Sequence, residues 1–357
     1  SENDLVNYMA TAVQVSPKYP VLIDKYILGK EAEVDAVSDG TDTLIPSIIE
    51  HIERAGVHSG DSMAVFPPET LTDEEKNQII DYTLKIAQAL HVKGLLNIQY
   101  VVKQGKVYVI EVNPRASRTV PILSKVTGVP LVKVAVQVML GHTLKSLGYS
   151  SGLWKQPPFA TVKAPVFSSE KLTQVDVSLG PEMKSTGEVL GLDHHFGRAV
   201  YKAMRGAKIK LAPEGKVLFT VAKKDLGEIV GVAQEYSRAG YEIIATGETA
   251  RVLVENGLKV EQVSLKDNLE ELMKQIARDE IVLVINTPTK GKMQERAGFK
   301  IRRTAADYRV PCLTSLDTAR AYLLAVKAVK EGVPQCRPVQ EYISISKSEP
   351  VANCIDI

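Results

Sequence analysis

Apolar and polar residues follow two rhythms along this chain, and the rhythm changes near residue 212. In the first part, the pattern predicts strands at 21–24, 32–38 and 43–49 and helices at 4–15, 72–90 and 130–140. Asp39-Gly40 is typical of a hairpin turn between strands, and Thr72 with Glu75 has the spacing of a capping box at a helix start. The sequence therefore indicates a mixed, strand-rich first part.

From Lys216 onward, strands and helices alternate. Strands are predicted at 217–221, 242–246, 259–264 and 281–286, and helices at 227–239, 248–256, 268–278 and 316–331. Strands that are apolar throughout are typical of a doubly wound parallel sheet covered by helices. Prolines punctuate residues 150–212, which we interpret as a connecting region. We therefore predict a first domain over 1–212, a second over 213–345 and a tail at 346–357.

One hairpin carries the clearest chemistry. Two apolar runs, 95–102 and 107–112, flank a Gly-containing turn, so Gln99 is expected to lie almost opposite Glu111. Side chains alternate along a strand, which places Glu111 and Asn113 on one face. A carboxylate with amide oxygens suits Mg²⁺, and Arg115 and Arg118 follow as cations for phosphate. For any one of these residues alone, a solvated hairpin edge is the simpler interpretation.

Three sequence blocks resemble one known family. They are 110–128, which contains Ile-Glu-Val-Asn-Pro-Arg, 50–62, which contains Gly-Val-His-Ser-Gly-Asp-Ser, and 179–188, which begins Leu-Gly-Pro-Glu-Met. In this order, they are similar to the large subunit of carbamoyl phosphate synthase, in its C-terminal portion, over roughly residues 1 to 345. The resemblance implies part of the second ATP-grasp domain, an α+β unit with a largely antiparallel sheet. A doubly wound, methylglyoxal synthase-like allosteric domain would follow it.

The resemblance also implies ligands and roles for the first domain. The family's second ATP-grasp unit phosphorylates carbamate with ATP, within an enzyme that hydrolyses glutamine on a small amidotransferase subunit. Arg115, Arg118 and Lys163 would be catalytic, and Gln99, Glu111 and Asn113 would hold Mg²⁺ or Mn²⁺. The nucleotide would contact the following residues: Lys25, Ile27, Glu31, Gly56, Val57, His58, Ser59, Gln99 and Glu111.

In the second domain, Thr/Gly-rich loops follow three parallel strands, where doubly wound folds bind ligands. From the residues alone, these loops are equally typical of ordinary turns. The resemblance implies a nucleotide effector such as UMP at Thr220, Thr246, Thr249 and Asn286, although Leu226 and Leu265 stand where the enterobacterial pattern has lysines. A second effector site, for ornithine, would use His51, Glu53 and Asp61. The family has an acidic residue directly after the position of Lys163, where this chain has Ala164.

Composition narrows the functional class further. A net charge of +2 argues against a nucleic-acid partner. Three scattered cysteines and no apolar run of about 20 residues favour a reduced, cytoplasmic protein without a membrane span. The sequence leaves open whether the protein is a homo-oligomer. It also leaves open whether it acts in arginine or in pyrimidine biosynthesis.

Other interpretations remain open from the sequence. The chain opens past the family's glycine-rich phosphate loop, so we expect no turnover from it alone. A free-standing nucleotide-sensing module without catalysis is the main alternative. A biotin carboxylase is opposed by the 56–62 block and the second domain. For an autonomous methylglyoxal synthase, the sequence shows no clear catalytic acid or base.

Overall fold

The computed structural model describes residues 5–6, 9–10, 21, 23–168, 176–288 and 296–348, the last five without their side chains. The predicted helix at 4–15 falls largely outside these residues. The strand predicted at 21–24 is wrong, because its described residues are not in a strand and Ile23 is 60% exposed. An apolar run becomes a strand only where a neighbouring strand pairs with it, and here none of the described strands does.

The first domain is built on a sheet of nine strands. Their bounds are β1 Lys30–Asp39, β2 Thr43–Ile45, β3 Ile48–His51, β4 Ala64–Phe66, β5 Lys93–Lys103, β6 Lys106–Asn113, β7 Gly152–Leu153, β8 Ala160–Val166 and β9 Gly187–Asp193. The main order is β6-β5-β1-β3-β4-β8-β9, with each neighbouring pair antiparallel, while β2 pairs with β1 and β7. The predicted strand at 43–49 is split into β2 and β3 at Pro46, which has no N–H to donate to a ladder.

Helices cover both faces of this sheet. They are α1 Asp73–Ala89, α2 Val120–Thr127, α3 Leu131–Met139 and, after β9, α4 Phe196–Gly206. The capping box predicted for α1 is present, with Thr72 accepting from Glu75 N and the Glu75 side chain accepting from Thr72 N. One apolar core lies between α1, β1 and β5, and a second joins α2 and α3 to the other face.

The second domain is a five-stranded parallel sheet, in the order β12-β11-β10-β13-β14. Its strands are β10 Gly215–Phe219, β11 Tyr241–Thr246, β12 Glu261–Val263, β13 Ile281–Ile285 and β14 Cys312–Leu313. Its helices are α5 Leu226–Arg238, α6 Gly247–Glu255, α7 Leu269–Ala277, α8 Ala297–Asp307 and α9 Leu316–Lys330. A last helix, α10, spans Val339–Ser348. Every strand and helix predicted here is confirmed within two residues, but α8, β14 and α10 were not predicted.

Helix α4 joins the two domains and was also missed. It crosses β9 at Gly191, where a Cβ would come within 2.1 Å of the Ala199 carbonyl oxygen. Its other side lies on α9, where a Cβ at Gly197 would be 3.2 Å from Leu324. A single apolar core therefore runs from β8 through α4 to α9 and the second sheet. The boundary near residue 213 stays a prediction.

Among the described residues, no single helix is long and apolar enough to cross a membrane; the pair α2 and α3, bent by 108°, meets the length and composition criteria only when joined.

Candidate functional site

One face of the first sheet is polar, and it is built by strict alternation along β1. Ala32, Val34 and Ala36 point into the core under α1, whereas the residues that alternate with them, Glu31, Glu33 and Asp35, are buried on the opposite face. Cross-strand pairing extends this face, because Glu33 lies opposite Gln99 and Asp35 opposite Asn97. The face therefore carries carboxylates and amides across neighbouring strands.

The β5–β6 hairpin continues the same rows to the sheet edge. Gln99 pairs with Glu111 and Asn97 with Asn113, as the sequence symmetry nearly predicted. A register shift after Gln99 makes Tyr100 pair with Val109, so Ile110 is the extra residue that brings Glu111 directly opposite Gln99. Asn113 Nδ2 donates to Glu111 Oε1 at 2.8 Å. The three predicted metal ligands are therefore neighbours on one face.

An open cleft of about 660 Å³ lies over this hairpin. All nine residues predicted to contact nucleotide line it: Lys25, Ile27, Glu31, Gly56, Val57, His58, Ser59, Gln99 and Glu111. The sequence did not single out the other lining residues, among them Tyr26, Tyr108 and Pro181. Aromatic and aliphatic walls with a few convergent polar groups are typical of a small-molecule site.

The glycine-flanked loop at the cleft is fixed by close contacts. Gly56 has a φ of +112°, and a Cβ there would lie 2.8 Å from the Tyr26 hydroxyl, so only glycine fits. Lys163 is 1% exposed and donates from Nζ to the Ser59 carbonyl oxygen at 2.8 Å. The structure thus places Lys163 beneath the loop, where it holds the loop backbone.

The two arginines that follow β6 have different surroundings. Arg118 donates to the Gly60 carbonyl oxygen at 3.1 Å and to Ser185 Oγ at 2.9 Å, and its Nε lies 3.2 Å from Glu188 Oε1. Arg115 is exposed and donates to the neighbouring Ala116 carbonyl oxygen at 3.1 Å. Arg118 is therefore oriented by the protein, while Arg115 is available to a ligand.

The buried acids of the polar face sit around His51. Its ring nitrogens lie 3.6 Å from Glu31 Oε1 and 3.7 Å from Glu33 Oε1, and neither has a hydrogen-bond partner. Burial lowers the pKa of His51, but the two carboxylates outweigh burial and raise it. Burial raises the pKa of Glu33, but the proximity of His51 outweighs it and the pKa is lowered. For Asp35, burial and the Glu33 charge raise the pKa despite hydrogen bonds from Ser117 and Asn97.

The residues predicted for an amino-acid effector have separate partners. Glu53 is buried, accepts from Met63 N at 2.7 Å and from Thr318 Oγ1 at 2.6 Å. Asp61 accepts from the backbone N–H groups of Lys184 and Ser185, both at 2.8 Å. His51 faces Glu31 and Glu33 instead. Glu53 and Asp61 are thus hydrogen-bonded within the protein, and Glu53 also reaches the second domain through Thr318.

The donor set at the hairpin fits only certain metal ions. Across the described ranges, no group of three or more His, Cys, Asp or Glu side chains could hold a metal ion. Glu111, which is exposed, is the one carboxylate of the predicted set, and the amides of Gln99 and Asn113 flank it. Such a sparse, all-oxygen set suits Mg²⁺ that keeps water and phosphate ligands, and it does not suit a closed structural metal site.

In the second domain, the predicted effector residues lie together at the carboxyl ends of β10, β11 and β13, since these parallel strands end at one edge. Thr246, Thr249 and Asn286 are buried, and Thr220 is half-buried. Thr249 Oγ1 accepts from Val221 N at 3.1 Å, which joins the loop after β10 to α6.

Arg302 of α8 also reaches this pocket, where its Nη1 donates to Asn286 Oδ1 at 2.7 Å. Arg302 was not predicted from the sequence, because α8 buries polar residues, Arg302 and Thr304, on its inner face. Two adjacent arginines within an otherwise mixed run, Ile301-Arg302-Arg303, are the signal that was available.

Each part of the chain matches one family model. Residues 1–147 match the family described as carbamoyl-phosphate synthase L chain, ATP binding domain, and residues 228–314 match the MGS-like domain. The chain is 54% identical over 344 residues to the carbamoyl phosphate synthase large chains of Thermoanaerobacter pseudethanolicus and Caldanaerobacter subterraneus subsp. tengcongensis. These alignments cover 96% of this chain and 32% of each relative, so the chain spans about a third of their length.

Two solved structures are similar to part of the chain. The biotin carboxylase domain of the Hydrogenobacter thermophilus 2-oxoglutarate carboxylase is 16% identical, with a TM-score of 0.45 over 57% of this chain and 51% of that one. The biotin carboxylase domain of a single-chain bacterial carboxylase is 18% identical, with a TM-score of 0.41 over 57% of this chain and 56% of that one. The predicted fold class, a largely antiparallel ATP-grasp sheet followed by a parallel methylglyoxal synthase-like sheet, is confirmed.

Proposed function

We propose that this chain, which is 54% identical to a carbamoyl phosphate synthase large chain over 96% of its length, contributes its cleft to the site at which the parent enzyme binds ATP and phosphorylates carbamate to give carbamoyl phosphate and ADP. The observation that supports this most is that all nine predicted nucleotide contacts line one cleft. The predicted metal ligands and arginines stand at or next to the same hairpin.

The reaction needs charge neutralisation and alignment, and no protein nucleophile. A carbamate oxygen attacks the γ-phosphorus of ATP, the bond from that phosphorus to the β–γ bridging oxygen breaks, and ADP leaves with the electron pair. Glu111, Gln99 and Asn113 would hold one or two Mg²⁺ or Mn²⁺ ions, which neutralise phosphate charge when bound. Arg115, exposed beside the hairpin, would contact the transferring phosphoryl group or carbamate.

Arg118 and Lys163 take more specific parts in this proposal. Arg118 is held by Gly60, Ser185 and Glu188, so its guanidinium is fixed next to the loop that supplies cleft residues 56–59. Lys163 binds the Ser59 carbonyl oxygen, so it would shape the loop that contacts nucleotide. A positioning role for Lys163 thus refines the catalytic role that the sequence suggested.

The parent enzyme is proposed to be the cytoplasmic, glutamine-hydrolysing ligase that makes carbamoyl phosphate from bicarbonate, ammonia and ATP. A small amidotransferase subunit would be its partner, and arginine or pyrimidine biosynthesis would consume its product. The second domain would bind a nucleotide effector such as UMP. The supporting arrangement is three parallel strand ends with Thr246, Thr249 and Asn286 beside the start of α6, where backbone N–H groups can receive phosphate.

The test replaces Glu111, the single carboxylate of the predicted metal set. In a large chain that carries this segment, Glu111→Gln should abolish formation of carbamoyl phosphate, because an amide cannot balance the charge of the metal. The reverse reaction, ATP formation from ADP and carbamoyl phosphate, isolates this step. Mn²⁺-induced broadening of the Asn113 side-chain amide resonances gives a reading that does not depend on turnover.

Glu74→Gln is the matched control, since Glu74 is exposed in the first turn of α1 and lies away from the cleft. It should retain wild-type activity. If Glu111→Gln keeps activity within about tenfold of wild type, equal to about 1.4 kcal/mol in barrier, the metal assignment is wrong.

A further inference from the structure

The segment 176–186, here called the crossover segment, lies between the two domains. It has no helix or strand, and it leads into β9. At its start it contacts the second domain, where Leu179 N donates to Thr314 Oγ1 at 3.1 Å. Further along it contacts the first domain, where His58 N donates to the Gly180 carbonyl oxygen at 2.8 Å and Pro181 lines the cleft. The same short segment thus contacts the second domain at one end and the cleft at the other.

Arg302 anchors the start of the crossover segment. Its Nε and Nη2 donate to the two carboxylate oxygens of Asp176, at 2.8 and 2.6 Å. The remaining arm, Nη1, donates to Asn286 Oδ1 in the predicted effector pocket. Arg302 is 7% exposed and the Asp176 side chain is 22% exposed, so this planar, two-sided arrangement is screened by water and salt less than a surface pair. One guanidinium therefore binds the crossover segment on one side and the effector pocket on the other.

The segment carries this anchoring to the cleft through backbone contacts. Asp176 Oδ1 accepts from Ser178 N at 3.0 Å, and Lys184 Nζ donates to the Asp176 carbonyl oxygen at 3.0 Å. Lys184 N and Ser185 N donate to Asp61, which lies in the loop that follows the cleft residues His58 and Ser59. The segment is thus folded on itself and clamped to the cleft loop. Movement of Asp176 would move Gly180 and Pro181.

We propose that Arg302, although it belongs to the second domain, is a positioning residue for the nucleotide cleft, and that a phosphorylated ligand at Asn286 acts on the cleft through it. The second half of this inference rests on the proposed effector function, whereas the first half rests on the contacts alone. A ligand that engages the Asn286 amide changes the hydrogen-bond set of Nη1, and so changes how firmly the other two N–H groups hold Asp176. Coupling requires such a differential contact.

The first experiment uses this 357-residue chain without ligand. Amide hydrogen exchange is compared between wild type, Arg302→Gln and Asp176→Asn, with Arg251→Gln as control, because among the described residues the ion-pair partners of Arg251 are Glu248 and Glu255 of its own helix. We expect both test variants to speed exchange at His58, Lys184 and Ser185, none of which contacts Arg302, and the control to leave them unchanged. If the change is confined to the amides around Asn286 and Arg302, the positioning role is wrong.

The second experiment uses a large chain that carries this segment, assayed by ATP formation from ADP and carbamoyl phosphate. Arg302→Gln and Asp176→Asn should raise the KM for ADP about tenfold with kcat within about twofold, because the cleft wall is displaced and the reacting groups are intact. Arg302→Lys, which keeps the charge and loses the fork, should recover part of the affinity. A fall in kcat with unchanged KM, or no recovery in the lysine variant, would overturn the proposal.

UMP is the probe for the effector half. UMP should change the KM for ADP of wild type and of Arg251→Gln. The change in the KM for ADP of Asp176→Asn should be at least fivefold smaller, although Asp176 has no hydrogen bond with Asn286. Equal shifts in all three overturn the coupling. If wild type does not respond to UMP, the effector proposal itself fails, while the ligand-free exchange comparison still decides whether Arg302 positions the cleft.

Discussion

Alternate residues on β1 contribute to the apolar core and to the polar face of the candidate site. The run Glu31-Ala32-Glu33-Val34-Asp35-Ala36 places small apolar side chains under α1 and acids on the polar face. Isolated buried carboxylates would be costly, but these lie against His51, Asn97 and Ser117, which supply charge and hydrogen bonds. The alternation was visible in the sequence, yet only Glu31 was singled out, because burial of Glu33 and Asp35 depends on what the fold places above them.

The buried carboxyl group of Glu53 should make the free energy of unfolding depend on pH. Burial raises the pKa of its carboxyl to about 7 from the ordinary 4.5, against hydrogen bonds from Thr318 and Met63. The folded state therefore holds this proton more tightly than the unfolded state. As pH rises from about 4.5 through 7, the folded state loses stability relative to the unfolded state, by about 2 kcal/mol between pH 5 and pH 8.

Glu53→Gln cannot titrate and keeps an oxygen for Met63 N, so it should remove this part of the pH dependence. Urea unfolding of wild type and variant at pH 5, 6, 7 and 8 measures the difference. The stability gap between them should move by about 2 kcal/mol in favour of the variant at high pH. Parallel curves for the two proteins would contradict the assignment. Glu74→Gln, at an exposed position, should follow wild type.

Among the helices and strands, those whose ends and faces depend on nearby residues in the sequence were predicted correctly. The capping box of α1 and the alternation of apolar strands and helices after residue 215 identified their elements within two residues. What failed depended on tertiary partners. Helix α8 buries an arginine and a threonine, so its apolar periodicity is weak, and the two-residue β14 exists only through pairing with β13.

The site was predicted to a similar depth. The hairpin and its turn followed from sequence, but symmetry about the turn would place Ile110 opposite Gln99. The register shift at Ile110 moves Glu111 into that position. A bulge of this kind depends on the twist of the whole sheet, and no residue type in the hairpin announces it. The contact between Arg302 and Asn286 likewise joins elements 16 residues apart in sequence, and the missing helix concealed it.

Thr249 carries the prediction for an element. Its hydroxyl accepts from Val221 N, so it orders the loop after β10, which borders the proposed effector site. Thr249→Val keeps the shape but leaves the Val221 N–H without its partner, and should weaken UMP binding by about 1–3 kcal/mol. Thr249→Ser restores the hydroxyl and should bind within about twofold of wild type. Calorimetric titration decides; equal affinity of the valine and serine variants would show that the hydroxyl is not involved.

At the scale of the whole molecule, apolar packing outweighs charge in joining the domains. Arg54, next to Glu53, donates to Asp317 of α9 and to Glu228 of α5, and Arg320 contacts the same two acids. These side chains are 17–43% exposed, and pairs of this kind contribute little in water. By contrast, α4 buries Ala199, Val200, Ala203 and Met204 in a core shared with α9. The ion pairs therefore fix the relative orientation of the two domains, and the apolar packing of α4 contributes most of the stabilisation between them.

This packing gives the last prediction. Residues 213–345 are predicted to fold on their own and to bind UMP, but a fragment 194–345 should be more stable by about 3 kcal/mol, because α4 packs on α9 at Leu324 and Ala328 and shares an apolar core with that helix. In the longer fragment, Gly197→Val should cost about 1–3 kcal/mol, since its Cβ would meet Leu324 at 3.2 Å. Gly206→Ala should be neutral or stabilising, because the nearest atoms to its Cβ belong to Val189, which the fragment lacks. Urea unfolding followed by circular dichroism measures all four proteins. Equal stability of the two fragments, or tolerance of Gly197→Val, would mean that α4 docks on α9 only when the first sheet holds it there.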